Sequence, residues 1–136
     1  MEMLVAIAII AAMSVIGLPF YRSVMQNLNL NSVARGMSSD LRYAQQLSVT
    51  TQVNYSVTID PISNYYYIKN SQTEEIIKTV TVKDNIDIQS VNDLPNNTAT
   101  FNATGAAIST GNIILSNINN RQATIEIKPS GYVKIN

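Results

Sequence analysis

The chain of 136 residues carries nine Lys and Arg against nine Asp and Glu, so its formal net charge is zero. A neutral chain of this length makes one domain and has no general attraction to nucleic acid or acidic lipid. It contains no Cys and no His. This composition excludes disulfides, thiolate metal sites, cysteine nucleophiles and histidine bases, and with them most enzyme mechanisms. No cofactor and no enzymatic activity are expected.

The first predicted element is an apolar helix. Residues 3–21 carry no charge. At about 1.5 Å per residue this helical segment extends about 28 Å, close to the hydrocarbon thickness of a bilayer, so it can span a bilayer or lie inside an assembly. Glu2 stands at its tip. An ionised carboxylate removed from water costs several kcal/mol unless a cation or hydrogen-bond donors meet it, so Glu2 is expected to have a partner.

The helix is predicted to continue to about Gln52 with an amphipathic pattern. Apolar or small side chains recur at spacings of three and four residues and predict one buried stripe, made of Leu30, Ala34, Met37, Leu41, Ala44 and Ser48. Polar residues on the opposite side are expected in water: Gln26, Asn29, Ser32, Arg35, Ser39, Arg42 and Gln46. Gly17 and Pro19 interrupt the hydrophobic half. Because proline cannot donate to the preceding turn, a kink or locally loosened helix is predicted near residues 14–20.

After Gln52 the pattern changes from helical to alternating, and β-branched and aromatic residues dominate. Strands are predicted at residues 53–60, 65–69, 75–82, 86–91, 98–101, 106–108, 113–115, 123–128 and 132–135. Pro129 and Gly131 predict a turn before the last strand, so the chain should end in a hairpin.

One long helix followed only by strands predicts an α+β architecture. Residues 1–52 form the N-terminal helix, of which 1–21 are suited to a membrane or filament core and 22–52 are amphipathic. This helix is expected to pack on an antiparallel β domain of one or two sheets formed by residues 53–136.

The segment EMLVAIAIIAA at residues 2–12, with Pro19 seventeen residues after Glu2, resembles the N-terminal helix of type IV pilins and type II secretion pseudopilins. The resemblance matches Glu2 to the family's glutamate and Pro19 to its helix-interior proline. It implies that Gly17 and Pro19 mark a segment that melts or extends when the subunit moves from bilayer to filament. A tolerated kink at the end of a membrane helix is the alternative.

The later part of the chain is similar to the H-type minor pseudopilins and related minor pilins, whose β domain has two sheets packed on the helix. The similarity covers residues 34–49, the strand at residues 53–59 and the final segment at 131–135. The absence of Cys departs from many major type IV pilins, for which a C-terminal disulfide loop is implied. A pseudopilin or a minor pilin is therefore favoured.

The resemblance implies a structural subunit of a type IV pilus-like filament or type II secretion pseudopilus, with its helix bundled in the filament core. The alternatives are a minor pilin of a DNA-uptake pilus and a membrane-anchored extracytoplasmic binding domain. The implied partners are copies of the chain, other pilins or pseudopilins, the inner membrane before assembly, and prepilin peptidase. The implied location is the bacterial inner membrane, crossed once, with a periplasmic or extracellular domain, and then a cell-surface filament with a possible adhesive role.

The family's basic leader, its Gly and the first mature residues, including the methylated one, have no counterpart before Glu2. Extension of the reading frame upstream is expected to reveal a basic stretch and a Gly four residues before Met1. Arg22, Arg35 and Arg42 follow the apolar segment, and by the positive-inside rule alone they would place the β domain in the cytoplasm. A basic leader reverses this balance.

Candidate chemistry in the β domain is sparse. Asp84, Asp87 and Asp93 flank a short predicted strand and are weak candidates for a Ca²⁺ site, as some pseudopilins use, but no glycine-bearing ligand loop surrounds them. Solvated loop charges are favoured. An anchored enzyme would need an acid–base pair such as Glu74 with Asp87, and nothing in the spacing selects that pair.

Two further features of the β domain bear on binding. Tyr65, Tyr66 and Tyr67 alternate on one strand, and packing is favoured over an adhesive or subunit contact. Residues 53–110 carry three Lys against six acids, net −3, and residues 111–136 carry three cations against one acid, net +2. Nucleic-acid binding is therefore disfavoured, although the alternative of a DNA-uptake role stays open.

Overall fold

The computed structural model describes residues 2–82 and 85–136, without the side chains of residues 2, 15–20, 22 and 23. A single long helix, α1, spans Glu2–Thr51. It continues without interruption through Gly17 and Pro19, the positions at which a kink or loosened segment is predicted. The helical backbone therefore persists across both helix-breaking residues.

The helix ends because the next residue leaves the right-handed helical region. Gln52 has a φ of 57°, the left-handed conformation that commonly terminates helices. Its side-chain Nε2 donates to the carbonyl of Val49 at 2.7 Å, which satisfies one of the carbonyl groups that the last helical turn leaves without a partner. From this cap the chain turns back along the helix as the first strand.

The predicted stripe on the second half of α1 is buried. Its six residues are Leu30, Ala34, Met37, Leu41, Ala44 and Ser48, and none is more than 3% exposed. Of the residues expected in water, Ser32, Arg35, Ser39, Arg42 and Gln46 are exposed, while Gln26 and Asn29 are half-buried. The helical period in the sequence thus identified the face that packs on the β domain.

Eight strands follow the helix. They are β1 Tyr55–Asp60, β2 Tyr65–Asn70, β3 Ile76–Thr81, β4 Ile86–Asn92, β5 Thr98–Phe101, β6 Gly111–Asn117, β7 Gln122–Ile127 and β8 Val133–Ile135, with a short 3-10 helix at Pro95–Asn97. They form two antiparallel four-stranded sheets, ordered β3-β2-β1-β5 and β4-β6-β7-β8. The predicted α+β architecture is confirmed, and the number of sheets is two.

The helix packs on both sheets. Its second half contacts β1 and β5 of the first sheet and β6, β7 and β8 of the second. Phe101, Ile113 and Ile125 are fully buried in the same core as Met37 and Leu41 of the helix. One hydrophobic core therefore joins the two sheets through the buried stripe of α1.

The β domain has two ends along the helix axis, named here from the helix N-terminus. At the proximal end, the side-chain amide of Asn117, the last residue of β6, donates to Asn27 at 3.2 Å. At the distal end, Gly105 packs against Gln45 and Val49, 18 and 22 positions further along the helix than Asn27. The part of α1 before the proximal end projects beyond the β domain.

The prediction of a strand at residues 106–108 is wrong. Ala107 forms only an isolated bridge with Phe101. The strand cannot extend because β5 ends at Phe101 and the chain folds back at once, with the N–H of Gly105 donating to the carbonyl of Asn102 at 2.9 Å. The segment lies along the outer edge of β5, where the N–H of Ile108 donates to the carbonyl of Thr100 at 2.8 Å.

Candidate assembly surface

The first half of α1 presents apolar side chains on all sides. Every side chain of residues 3–14 is exposed, with Met3 at 81%, Ile7 at 60% and Met13 at 71%. A helix that is hydrophobic all round is normally buried in a membrane or in a protein core. We call residues 3–14 the apolar helix surface. Within the part of the chain that the structure describes, no helical stretch combines the length and the hydropathy of a membrane span.

The three residues predicted to act in assembly all lie on this projecting half. Glu2 is the first residue of α1, and Gly17 and Pro19 lie inside it. Their side-chain surroundings lie outside the described residues. Shortly before Gly17, the hydroxyl of Ser14 donates to the carbonyl of Ile10 at 2.8 Å, a back-bond that often bends helices.

A row of polar side chains fastens the helix to the β domain. We call Arg42, Gln45 and Ser48 the polar seam. Arg42 Nη2 donates to the carbonyl of Val133 at 2.9 Å, and Gln45 Nε2 donates to the carbonyl of Gly105 at 2.6 Å. The three-residue spacing places these side chains along one side of the helix, where they meet backbone groups from four segments of the β domain.

Ser48 is the buried end of the polar seam. Its hydroxyl lies 3.0 Å from the carbonyl of Ala44 and 3.2 Å from that of Phe101, and it accepts the N–H of Tyr55 at 3.2 Å. It therefore links the helix, β5 and β1. Sequence reasoning correctly placed Ser48 in the buried stripe and Arg42 on the exposed side, but it missed the hydrogen bond of Arg42 and did not consider Gln45. The recurrence of long polar residues beside an apolar stripe was the available signal.

A second polar contact joins the helix to the first sheet. Asp40 is only 9% exposed, and its carboxylate accepts a hydrogen bond from the Tyr66 hydroxyl at 2.8 Å and one from Lys78 Nζ at 2.6 Å. Burial and the hydrogen bond to Asp40 raise the pKa of Tyr66 above its ordinary value. This contact, which sequence reasoning missed, ties β2 and β3 to α1.

The predicted turn at the C-terminus closes against the polar seam. Gly131 is buried, with a φ of 78°, and a Cβ there would lie 2.1 Å from the carbonyl oxygen of Gly105. Only glycine fits so close to another backbone in this conformation. The final hairpin of β7 and β8 is thereby held against the distal end of the helix.

The acidic candidates are spread over the β domain. Asp87 lies near the start of β4 and Asp93 directly after its end, so the strand separates them by about 20 Å. Asp84 lies outside the described residues. Among the residues that are described, no group of three metal-ligating side chains comes together. Glu74, considered as the partner of Asp87 in an acid–base pair, forms an ion pair with Lys69 instead.

The three consecutive tyrosines of β2 point to two faces. Tyr66 is 3% exposed and faces the helix. Tyr65 and Tyr67 are half-buried on the outer face, with ring centroids 6.2 Å apart and an angle of 24° between the ring planes. Tyr66 thus belongs to the core, and the outer pair packs ring against ring.

Comparison with known proteins gives a family and a fold. The profile of the family described as Type II transport protein GspH matches residues 33–131. Among solved structures, the minor pseudopilin EpsH from the Type 2 Secretion System of Vibrio cholerae superposes with a TM-score of 0.65 at 9% identity, covering 79% of this chain and 96% of that one.

The type IV minor pilin FimU of Pseudomonas aeruginosa (strain PAO1) superposes with a TM-score of 0.68 at 13% identity, covering 83% of this chain and 92% of that one. At these identities the two structures show the fold. No curated protein sequence matches the chain. The match over residues 33–131, which include most of the β domain and all of the helix stripe except Leu30, shows that the chain belongs to the Type II transport protein GspH family, the H-type group of the type IV pilins and pseudopilins.

Proposed function

We propose that the chain is a structural subunit of a type II secretion pseudopilus or of a type IV pilus-like filament. The observation that carries the proposal is the apolar helix surface. Its side chains are all exposed, whereas Leu30 is the first buried residue among the helix side chains that the structure describes. The β domain therefore has its own core, and the projecting half of the helix is left for another partner.

The free energy available to such a partner is large. Fully burying one Leu, Ile, Val or Met side chain contributes about 1.5–3 kcal/mol. The apolar helix surface carries seven such large side chains, namely Met3, Leu4, Val5, Ile7, Ile9, Ile10 and Met13, each more than half exposed. Bundling of these helices in a filament core would bury them, with the β domains on the outside. Packing of this kind sets neither the direction nor the register of the helices by itself.

Glu2 would supply the register. In a bundle its carboxylate would enter an apolar environment, where a cation from a neighbouring subunit has to meet it. The N-terminal amine of the neighbour is the cation that we propose. Such a pair would form only at one axial offset between helices. Gly17 and Pro19 would serve the move of the subunit from bilayer to filament, because they would allow the helix to extend as it leaves the bilayer.

Before assembly, the apolar segment at residues 3–21 would hold the subunit in the inner membrane, with the β domain on the periplasmic side. The partners would then be prepilin peptidase, copies of the chain and other pilins or pseudopilins. EpsH and FimU are named a minor pseudopilin and a minor pilin, which supports the filament role. Glu74, the acid considered with Asp87 for an anchored enzyme, is ion-paired with Lys69, so that pair offers no support for the alternative.

The test is the substitution Glu2→Ala in the native host, with Glu75→Ala as the matched control that removes an exposed carboxylate from the β domain. Removing one partner of a buried ion pair costs about 3–5 kcal/mol. Glu2→Ala should therefore leave membrane abundance normal but strongly reduce the subunit recovered in sheared filaments. Glu2→Asp should partly restore recovery, and Glu75→Ala should behave as wild type. Wild-type recovery of Glu2→Ala would remove the proposed role of Glu2.

A further inference from the structure

Two isoleucines stand at the tips of turns on the proximal end of the β domain. Ile118 follows the last residue of β6 and is 63% exposed. Ile62 lies in the turn between β1 and β2 and is 96% exposed. Exposed turns normally carry Gly, Pro, Asn, Asp or Ser, so a large apolar side chain at each tip is unusual.

The two tips lie at the same end of the molecule. Ile118 is adjacent to Asn117, which contacts Asn27 of the helix at 3.2 Å. Asn117 is also paired with Ile86 across the second sheet, and Asn64 of the other turn donates to the carbonyl of that same Ile86 at 2.7 Å. Both turns therefore lie beside the point where the helix leaves the β domain.

The turn that carries Ile118 projects toward the helix N-terminus. Strand β6 begins at Gly111, which pairs with Ile127 beside β8, and the carbonyl of Val133 in β8 is held by Arg42. It ends at Asn117, level with Asn27. The strand thus runs back along the helix, and Ile118 is carried past its proximal end.

The helix gives the height of this end above a membrane. The uncharged segment ends at Tyr21, which is 60% exposed, and tyrosine is enriched at the boundary between membrane and water. From Tyr21 to Asn27 the helix rises about 9 Å. The headgroup layer on each side of a bilayer is about 5–7 Å thick. A turn that projects about 2–4 Å below Asn27 would therefore reach the headgroup layer.

We infer that the turns of Ile118 and Ile62, at the proximal end of the β domain, form a bilayer-contact surface. Before assembly, this surface places both isoleucines in the headgroup region of the membrane. The inference rests on the membrane anchoring included in the proposed function. It would fix the tilt of the β domain relative to the bilayer, so that the subunit is stored in a defined orientation. Its partner is a lipid surface rather than a protein pocket.

The backbone of both turns suits a partly dehydrated site. Asn117 Oδ1 accepts the N–H groups of Asn119 and Arg121 at 3.0 Å each, and Asp60 Oδ1 accepts those of Ile62 and Ser63 at 2.9 and 3.1 Å. These N–H groups consequently need no water.

The charges near the two tips differ. Arg121 is exposed in the Ile118 turn and suits anionic lipid headgroups. Asp60, in the other turn, is a carboxylate whose pKa is lowered by the hydrogen bond from the Ser63 N–H, so it stays charged and favours water. Ile118 is therefore expected to lie deeper than Ile62.

The absence of Cys makes site-specific labelling direct. Single-cysteine variants Ile118→Cys and Ile62→Cys would carry an environment-sensitive fluorophore in the full chain, reconstituted in vesicles of phosphatidylethanolamine and phosphatidylglycerol. The matched control is Ile108→Cys, because Ile108 is 60% exposed but lies toward the distal end, bonded to Thr100 of β5. Ser14→Cys, on the exposed projecting helix, reports whether the helix itself is inserted.

Lipids spin-labelled on the headgroup should quench the label at Ile118 several-fold more than the label at Ile108, with Ile62 in between. Lipids spin-labelled on the acyl chain should quench the label at Ser14. In a second arm, Ile118→Glu should reduce quenching of the label at Ile62, whereas Ile108→Glu should leave it unchanged.

The outcomes separate the two proposals. Quenching at Ser14 together with equal, weak quenching at Ile118 and Ile108 would overturn the bilayer-contact surface and leave the anchored helix in place. Absence of quenching at Ser14 would overturn the proposed membrane anchoring and, with it, the bilayer-contact surface. Self-quenching of the Ile118 label that grows with protein density, without lipid quenching, would assign this end to a contact between subunits and would also overturn the inference.

Discussion

The side chain of Asn64 binds the edge of β4 at Ile88 as a neighbouring strand would. The N–H of Ile88 donates to Asn64 Oδ1 at 2.9 Å, while Asn64 Nδ2 donates to the carbonyl of Ile86 at 2.7 Å. The backbone carbonyl of Asn64 also accepts the N–H of Val82 at 2.9 Å. One residue in the turn of the first sheet thus covers part of an open edge of the second, and the two sheets are joined at the proximal end.

Replacing Asn64 should loosen this joint. Asn64→Gly keeps the positive φ of 53° but removes both side-chain hydrogen bonds, so we expect a loss of about 1–3 kcal/mol in the free energy of unfolding. Asn120→Gly is the matched control, because Asn120 has a φ of 57° in an exposed turn. Urea unfolding of the full chain in detergent micelles measures both. Equal stabilities of the two variants would contradict the role of the Asn64 side chain in joining the two sheets.

Substitution of alanine for glycine should change the stability of the protein in opposite directions at two positions. At Gly131 the φ of 78° alone should cost about 1–3 kcal/mol, and the new Cβ would also meet Gly105 and Gln45. At Gly36, in the helix, a Cβ meets nothing within 4 Å, so Gly36→Ala should stabilise by about 0.8–1 kcal/mol. Thermal unfolding of both variants checks the signs. A neutral Gly131→Ala would show that the final hairpin tolerates displacement from the helix.

Alkaline pH should weaken the contact between helix and first sheet. Burial and the hydrogen bond to Asp40 raise the pKa of Tyr66 above its ordinary value of 10.0. Above that pH the unfolded chain releases this proton and the folded chain keeps it, so the free energy of unfolding falls by up to about 1.4 kcal/mol per pH unit. The stabilising effect is fully present below pH 10.

The measurement is urea unfolding between neutral and strongly alkaline pH. Tyr66→Phe should be less stable than wild type at neutral pH and should show a smaller alkaline loss. Tyr132→Phe removes an exposed tyrosine and should retain the wild-type loss. An identical pH dependence in Tyr66→Phe and wild type would exclude Tyr66 as its source.

The β domain should fold without the projecting helix. A fragment of residues 25–136 retains every buried helix residue from Leu30 onward and removes the apolar helix surface. We expect it to be soluble and monomeric in the absence of detergent, whereas the full chain should require detergent. Circular dichroism should report a mainly β protein. A mostly helical spectrum or aggregation of the fragment would contradict a self-sufficient core.

Local periodicity made much of the fold predictable. The recurrence from Leu30 to Ser48 identified the packed helix face, and the alternation after Gln52 identified all eight strands. Both patterns are properties of neighbouring residues, and burial on one face is enough to produce them. The strand predicted at residues 106–108 failed because apolar residues there bridge β5 at only one position, where the chain reverses.

Polar contacts were less predictable than apolar ones. The sequence predicts that Arg42 faces solvent. The residue is exposed, but its guanidinium also donates a hydrogen bond to the carbonyl of Val133, 91 positions away. Asp40 is bonded to Tyr66, 26 positions away. An apolar side chain needs only any apolar neighbour, whereas a hydrogen bond needs one partner at one distance and angle.

The sequence by itself therefore determined the long helix, its apolar and amphipathic halves, the antiparallel strands and the resemblance to pilins. It also located Glu2, Gly17 and Pro19 on the half of the helix that projects from the domain. The tertiary structure alone decided how the strands divide between two sheets, that Asn64 and the polar seam join these sheets to each other and to the helix, and that Ile62 and Ile118 share one end. These relationships depend on the path of the chain between distant residues, and no local pattern encodes that path.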